Sequence, residues 1–438
     1  MNMKKTYILI LLAATLLSAC SPRVADIFDD TAVVRLEQNR EVVKERLMKA
    51  ENGWVMQYFA VSDQTTSDTL RHKGYTFLFK FQNDGTVIVG APVDGKYKTE
   101  TSLWDIISDN STVLTFNSFN SIFHYYSNPD PALGLWGADG TGIGGDYEFM
   151  VLEYNEKENY QLLKGKKRSC YVRLYPMATG QDWEEYFTKL DSMDKFLFEE
   201  NLPLGMYVEA KHLSLYNGPT HEFRVFEFGA DTLGGGEYHG FIVTENGIRL
   251  HDNEVSEQKI NRASFNLNAD KTRLVSVLDE NIYIEMEGST AFESSIAHGT
   301  VWKADSASLT SSITAAISTL EEHLHNGVGS AKGNKNARIL RVGFSKANKV
   351  TLDVYYSSNG KNELKDQYYF DYKMEGGNIQ LTYDGNYGQH NLINYNGEDF
   401  VKAFDGTYSF KILEPFHPSK GLQMSKTDDA NFTMTLEQ

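Results

Sequence analysis

The sequence predicts an α+β fold, mainly antiparallel β, built as small barrel- or sandwich-like β modules each accompanied by a helix. Three observations carry that expectation. Aromatic residues make up 13% of the chain, with 25 Tyr and 25 Phe, and such side chains pack well on a pleated surface. Strand–turn–strand signals recur along the chain. Three amphipathic helical patterns are separated by runs of strands, whereas a doubly wound sheet would alternate strand and helix.

The elements follow in order. Val33, Leu36, Val43 and Leu47 recur at helical spacing over residues 31–50, with Arg40 the one gap. Asp30 or Thr31 can cap that helix, and Asn52-Gly53 can end it. Tyr75–Phe81, Asp84-Gly85 and Thr86–Val89 read as strand, turn and strand, the glycine supplying the positive φ. Strands follow at 114–119, 147–154 and 170–175. A second helix, 182–198, carries Trp183, Phe187, Leu190 and Leu197. Phe241–Leu250 repeats the hairpin device with Asn246-Gly247. A third helix, 311–325, places Ile313, Ile317, Leu320 and Leu324 on one stripe and stops at Asn326-Gly327. Strands are then expected in 341–356, 368–373, 379–383, 407–413 and 432–436, with Asp384-Gly385 and Asp405-Gly406 as further turn dipeptides. Residues 199–305 read as a middle β module whose only helix lies at its start. The expected domains are therefore 31–198, 199–305 and 306–438, with a weak helix-plus-meander repeat between 31–176 and 311–438.

The composition narrows the function. A chain of 438 residues, 41% hydrophobic and 23% charged, is neither disordered nor a multi-span membrane protein. With 42 Lys plus Arg against 59 Asp plus Glu, the formal charge is −17. That balance argues against nucleic acid, which needs clustered cations. Residues 1–20 read MNMKKTYILILLAATLLSAC: a basic start at Lys4-Lys5, then an apolar run too short for a permanent span. The closing Leu17-Ser18-Ala19-Cys20 resembles the bacterial lipobox. The resemblance implies a signal peptide over 1–19, a lipidated Cys20 heading a tether over 20–30, and anchoring to outer-membrane lipid through acyl chains such as palmitate. The alternative is an ordinary secretory signal. By the same analogy Ser21 favours the outer membrane, on its cell-surface or periplasmic face. The acids at Asp26, Asp29 and Asp30 come later than a Bacteroides-type surface-export signal would place them. The second cysteine, Cys170, alternates with Val172 and Leu174, as a buried inert thiol would.

Reactive motifs are scarce. No HExxH, G-x-S-x-G or phosphate-loop pattern occurs. His323 and His325 diverge by about 200° on a helix and cannot share a metal. His124, after Ile122-Phe123, reads as a structural histidine. Gly327–Gly333 reads as a flexible linker, and Gly140–Gly145 precedes a strand rather than the helix that a dinucleotide needs. The adjacent Glu184 and Glu185 read as a solvated helix face. The loop 128–145 is the best binding candidate: Trp136, Asp139 and Asp146 could stack and hydrogen-bond a sugar, or place oxygens around Ca²⁺, although the EF-hand order is missing. Tyr125 and Tyr126 are added as groove candidates, the doublets 125–126, 355–356 and 368–369 each being expected to put one ring on each face of a strand. No catalytic residue, metal or cofactor is assigned.

A family resemblance runs through several blocks. Ala50–Phe59 (AENGWVMQYF), Phe79-Lys80-Phe81 with Asp84–Val87, Val113–Asn117 with Phe123-His124, Gly144–Phe149 and Leu163–Lys167 together resemble a Bacteroides-type lipoprotein family, domain-of-unknown-function family 4302. The likeness implies an address more than a chemistry. Members often accompany porin-type and capture lipoprotein partners that import glycans or peptides. The expected function is therefore a lipid-anchored, non-enzymatic accessory protein of outer-membrane nutrient uptake, binding a glycan or peptide ligand or the uptake complex. The alternatives are a hydrolase with an unrecognised carboxylate site and a structural or adhesive surface subunit.

Overall fold

The computed structural model describes residues 31–60, 73–128, 130, 144–208, 210–218, 221–228, 236–251, 264–389 and 391–438. Within them the chain forms three eight-stranded antiparallel units in series.

The first is a closed barrel in sequence order: β1 (Trp54–Phe59), β2 (Gly74–Phe81), β3 (Thr86–Val93), β4 (Lys96–Ser108), β5 (Thr112–Phe116), β6 (Glu148–Asn155), β7 (Tyr160–Gly165) and β8 (Tyr171–Pro176). Strand β1 closes on β8, pairing Trp54 with Pro176 and Gln57 with Arg173. Inward positions alternate as the pleat requires, so Trp54, Met56 and Tyr58 enter the core while Val55 and Gln57 face out. Phe123, from the turn after β5, plugs the lumen. Its ring centroid lies 5.2 Å from Phe77, 5.3 Å from Phe79 and 4.8 Å from Phe116. Helix α1 (Ala32–Lys49) adds Val43 and Leu47 to this core, and the Trp54 indole N–H donates to the Leu47 carbonyl at 2.7 Å, satisfying one orphan of the helix end.

The second barrel comprises β9 (Leu204–Val208), β10 (Lys211–Asn217), β11 (Glu222–Glu227), β12 (Glu237–Thr244), β13 (Gly247–Leu250), β14 (Ser264–Leu267), β15 (Arg273–Ser276) and β16 (Tyr283–Met286), closing from β16 to β9. The third unit comprises β17 (Trp302–Asp305), β18 (Arg338–Lys346), β19 (Val350–Ser357), β20 (Glu363–Glu375), β21 (Asn378–Tyr387), β22 (Gly406–Ile412), β23 (Leu422–Lys426) and β24 (Thr433–Leu436). A single bridge, Lys303 to Glu437, joins its outer strands.

Four further helices position these units. α2 (Trp183–Phe198), capped by the Asp182 carboxylate on the Glu185 N–H at 2.8 Å, joins the two barrels. Its Tyr186 and Leu190 pack outside the first barrel on Val55, Leu78 and Met177. Its Leu197 enters the core of the second. α4 (Ser311–Asn326) lays Ile313, Ile317, Leu320 and Leu324 on the third sheet. α5 (Glu398–Lys402) buries Phe400 and Val401 against it.

The structure departs from the sequence expectations in identifiable places. α3 (Gly288–Ala297) adds a helix near the end of the middle stretch. Its buried side includes Ser289, Thr290 and Ser295 beside Ala291, Phe292 and Ile296, so burial is not written as an apolar stripe that a periodicity could show. Trp302–Asp305 pairs with β18 and so belongs to the third sheet rather than the middle module. Asp384-Gly385 lies inside β21 at a register shift, with Gly385 at φ +79°, so the glycine serves a bulge rather than a hairpin tip. Tyr125 and Tyr126 sit at a 3₁₀ turn, not on a strand. The segment 327–334 is tied rather than loose: Asn334 N–H donates to Leu324 O at 2.6 Å and Ser330 N–H to Asn394 O at 3.0 Å.

The barrels touch at Gly74, where an added Cβ would overlap Ile242 Cγ1 and lie 2.7 Å from Phe59 Cε1. Gly74→Ala should therefore lower stability by about 1–3 kcal/mol in urea unfolding. Combining it with Ile242→Ala should recover part of that loss beyond additivity, and strictly additive effects would show that the clash is not felt.

Candidate functional site

The sequence candidates that the structure describes gather at one end of the first barrel. The Asp146 carboxylate accepts the Lys167 N–H at 3.1 Å and the Arg168 N–H at 2.8 Å. The Tyr58 hydroxyl accepts the Asp146 N–H at 2.6 Å. Burial raises the Asp146 pKa, and the two backbone bonds pull it back. Its charge thus holds the turn between β7 and β8. Tyr126 packs on Tyr75 and Phe77 at 4.1 and 5.3 Å between ring centroids, inside the core. Tyr125 is partly exposed, and its hydroxyl donates to Asp94 at 3.4 Å. Trp136, Asp139 and Cys20 lie outside the described residues. His124 is buried, its Nδ1 accepting the Asn120 N–H at 2.9 Å. Cys170 is fully buried, and burial pushes its thiol up.

A larger arrangement lies where the second barrel meets the third unit. Ring-bearing positions on the barrel's outer face line up across four adjacent chain segments. Tyr283 stacks on Tyr207 at 4.7 Å, Tyr207 on His212 at 4.5 Å, and His212 on Phe228 at 3.9 Å. Strand pairing puts Tyr283 opposite Tyr207 and His212 opposite Tyr207, so the ladder follows directly from register. Arg273 covers its far end, 4.3 Å from the Tyr283 ring. Glu287, buried at the start of α3, receives the Tyr207 hydroxyl and, at 2.9 Å, that of Thr290. His212 Nε2 stands 2.6 Å from the same carboxylate, within ion-pair distance. Gly205 makes room for it, since a Cβ there would overlap Glu287 Oε1.

The inner faces of that ladder are spent on one another, and among the described residues Phe228 is its last ring. Phe228 borders a cleft of about 820 Å³ walled by β10 and β11, by α3, and by β18 and β20. Tyr216 and Phe226 stand beside it, edge to face at 5.6 Å. Opposite them a polar chain runs from Lys346 Nζ to the Tyr372 hydroxyl at 2.7 Å, and from that hydroxyl to Glu293 Oε1 at 3.2 Å. Burial raises the Tyr216 pKa, reinforced by the Glu293 charge. The cleft thus sets aromatic rings against a lysine, a phenol and a carboxylate. Such surfaces suit a polyhydroxylated ligand: rings cover its C–H faces, and the polar groups accept from and donate to its hydroxyls. Sequence reasoning missed this site because its walls come from residues 214–228, 290–298 and 346–376, with no local motif. Among the described residues no three His, Cys, Asp or Glu side chains group as metal ligands would.

Residues 25–269 match the model of a family described as a domain of unknown function, DUF4302. The chain belongs to that family. The match takes in the first barrel, α2, and the second barrel as far as β14. No curated protein matches the chain. Among solved structures, the chain is similar to the DNA polymerase III β subunit of Borrelia burgdorferi at 10% identity and TM-score 0.12, covering 92% of this chain and 96% of that one. It is similar to the corresponding Thermotoga maritima subunit at 8% identity and TM-score 0.13, covering 92% and 98%. Those scores are too low to support any inference from these proteins.

Burial lowers the His124 pKa, outweighing the help of its backbone bond to Asn120. A depressed folded-state pKa contributes stability that is present above the unfolded value, about 6.5, and lost as pH falls through the folded value. The unfolding midpoint should therefore drop on acidification below about pH 6.5. His124→Gln should flatten that part of the profile, and an unchanged slope would refute the assignment.

Proposed function

We propose that the protein is a lipid-anchored, non-enzymatic accessory component of an outer-membrane nutrient-uptake system, and that it holds a glycan in the cleft between its second barrel and third unit. The observation that carries this reading is the facing of Tyr216, Phe226 and Phe228 against Lys346, Tyr372 and Glu293 around a volume of about 820 Å³. That volume lies within the ~300–1,000 Å³ common for small-ligand sites. The anchoring half of the proposal rests on the lipobox-like Leu17-Ser18-Ala19-Cys20 and on the resemblance of the N-terminal blocks to Bacteroides-type lipoproteins. Among the described residues no helix is long and apolar enough to cross a membrane. In this reading acyl chains on Cys20 supply attachment.

Two experiments test the two halves. In a thermal-shift panel of soluble oligosaccharides, one class should raise the melting temperature in proportion to ligand excess over Kd. Phe228→Ala should weaken that ligand about tenfold, the size of one lost aromatic contact. A flat panel, or binding unaffected by Phe228→Ala and Tyr216→Ala together, would remove the cleft from consideration. For the anchor, the intact mass of protein extracted from membranes should show acylation of a chain beginning at Cys20. Cys20→Ser should release the protein to the soluble fraction, and an unmodified membrane form would contradict the lipidation.

A further inference from the structure

We infer that a second cleft, between the first and second barrels, is a binding site for a short peptide with aliphatic side chains and a free amino terminus. The cleft is about 480 Å³ and is formed by the outer face of β1, the segment after β8, the β12–β13 turn region and the exposed end of β15. Three observations single it out.

The first is an unanswered acceptor. Gln57 is 8% exposed and lines the cleft, and its Oε1 has no hydrogen-bond partner among the described residues. A buried amide oxygen left unpaired is costly, so the position calls for an N–H or O–H donor from outside the chain. Strand geometry explains why the side chain cannot retreat. Val55 and Gln57 alternate outward from the barrel, and Gln57 is fixed between Thr76 of β2 and Arg173 of β8.

The second is the character of the walls. Val55, Met177, Ile248 and Leu278 are aliphatic or thioether surfaces, beside the rings of Tyr175 and Tyr186. Leu278 is 42% exposed and its neighbour Val277 49%, so the apolar track continues outwards past the mouth. Aliphatic walls favour aliphatic side chains over a hydroxyl-rich sugar, which would lose hydrogen bonds to water on entering. A peptide supplies both requirements, an amide N–H for Gln57 and branched side chains for the walls.

The third is the charge at the rim. Glu158 lines the cleft, and Glu245 lies opposite with Lys189 at 3.7 Å and a hydrogen bond from Gln181. Glu245 already has cationic company, so Glu158 is the carboxylate placed to meet a peptide ammonium. The cation of the lining, Arg249, is 3% exposed and lies over the Phe59 ring at 5.1 Å. This inference is independent of the glycan cleft, which lies on the other side of the second barrel and shares none of these residues.

The test is isothermal titration of the full chain with aliphatic tripeptides bearing free amino termini, with their N-acetylated forms, and with the oligosaccharide panel as a separate arm. The free tripeptides should bind, and acetylation should weaken them several-fold. Gln57→Leu should weaken them about tenfold, as expected for one buried hydrogen bond. Ala178→Trp, at an exposed lining position away from Gln57, should occlude the mouth and abolish binding even if Gln57→Leu proves poorly folded. Phe228→Ala should leave peptide binding unchanged, separating failure here from failure of the glycan reading. No tripeptide binding at millimolar concentration, or binding indifferent to Ala178→Trp, would overturn the inference. So would a Gln57→Leu chain that is more stable and binds peptides as well as the wild type, since the unpaired Gln57 oxygen would then be no peptide contact.

Discussion

Helix α2 holds two barrels with one amphipathic surface, and the arrangement of the first two units depends on that contact. Its first turn seats Trp183 on a shelf made by Gly53 and Gly90, where added Cβ atoms would lie 3.1 and 2.8 Å from the indole. The Trp183 N–H donates to the Asn52 carbonyl at 3.0 Å, and the Asn52 side chain returns bonds of 2.8 and 2.7 Å to the carbonyls of Ala178 and Gln181. One tryptophan thereby ties the helix to the strand it precedes in space and to the loop it follows in sequence. The distal turn then inserts Leu197 into the second barrel. The direct contacts of Phe59 with His251 and Arg249 add to this tie between the barrels.

The third unit is joined to the second by the same device in reverse. Phe416, from the connection between β22 and β23, is 2% exposed and lies in the core of the second barrel. It adopts φ +58°, a left-handed conformation that costs an ordinary side chain roughly 1–2 kcal/mol. Burial of a phenyl ring in a barrel core contributes about as much or more, so packing offsets the backbone cost. Glu200, just after α2, accepts the Ser419 N–H at 3.0 Å and fixes the same connection. The three units are thus locked by side chains exchanged between them.

Clefts follow from that mode of assembly. Barrels are convex, and convex bodies held at a few close points leave crevices beside those points. One crevice flanks the contact of Gly74 with Ile242, and the other flanks α3, whose Gly288 sits 2.7 Å (Cβ position) from Phe410 Cβ. The rigid sheets on either side keep both openings in shape without a ligand, which is the condition under which binding spends little on ordering. Buried acids elsewhere serve the fold. Asp366, fully buried, receives the Tyr368 hydroxyl at 3.0 Å and the Leu392 N–H at 2.8 Å, pinning the 3₁₀ turn before α5 to the third sheet.

Much of this was legible in the residue order. The Leu36, Val43 and Leu47 spacing, the Asp182 cap and the Ile313–Leu324 stripe locate α1, α2 and α4, because an amphipathic helix writes its period into the chain, although Val33, counted in that stripe, is exposed. Asp84-Gly85 and Asn246-Gly247 locate two hairpins, because a tight turn needs residues that tolerate positive φ. Cys170 reads correctly as a buried thiol from simple alternation. Helix α3 was illegible, since its buried side mixes Ser289, Thr290 and Ser295 with Ala291, Phe292 and Ile296 and leaves no apolar stripe in the residue order. Barrel- or sandwich-like modules were expected, but the choice of barrel and the strands that close it were illegible, since β1 meets β8 and β9 meets β16 only through long-range register. Both clefts belong to this second class. Gln57 looks like any outward strand residue until the second barrel covers it, and Phe228, Glu293 and Tyr372 are ordinary residues until packing faces them across one space. Local periodicity and turn chemistry are properties of neighbours in sequence; the burial of a polar atom and the convergence of distant side chains exist only once the units are packed.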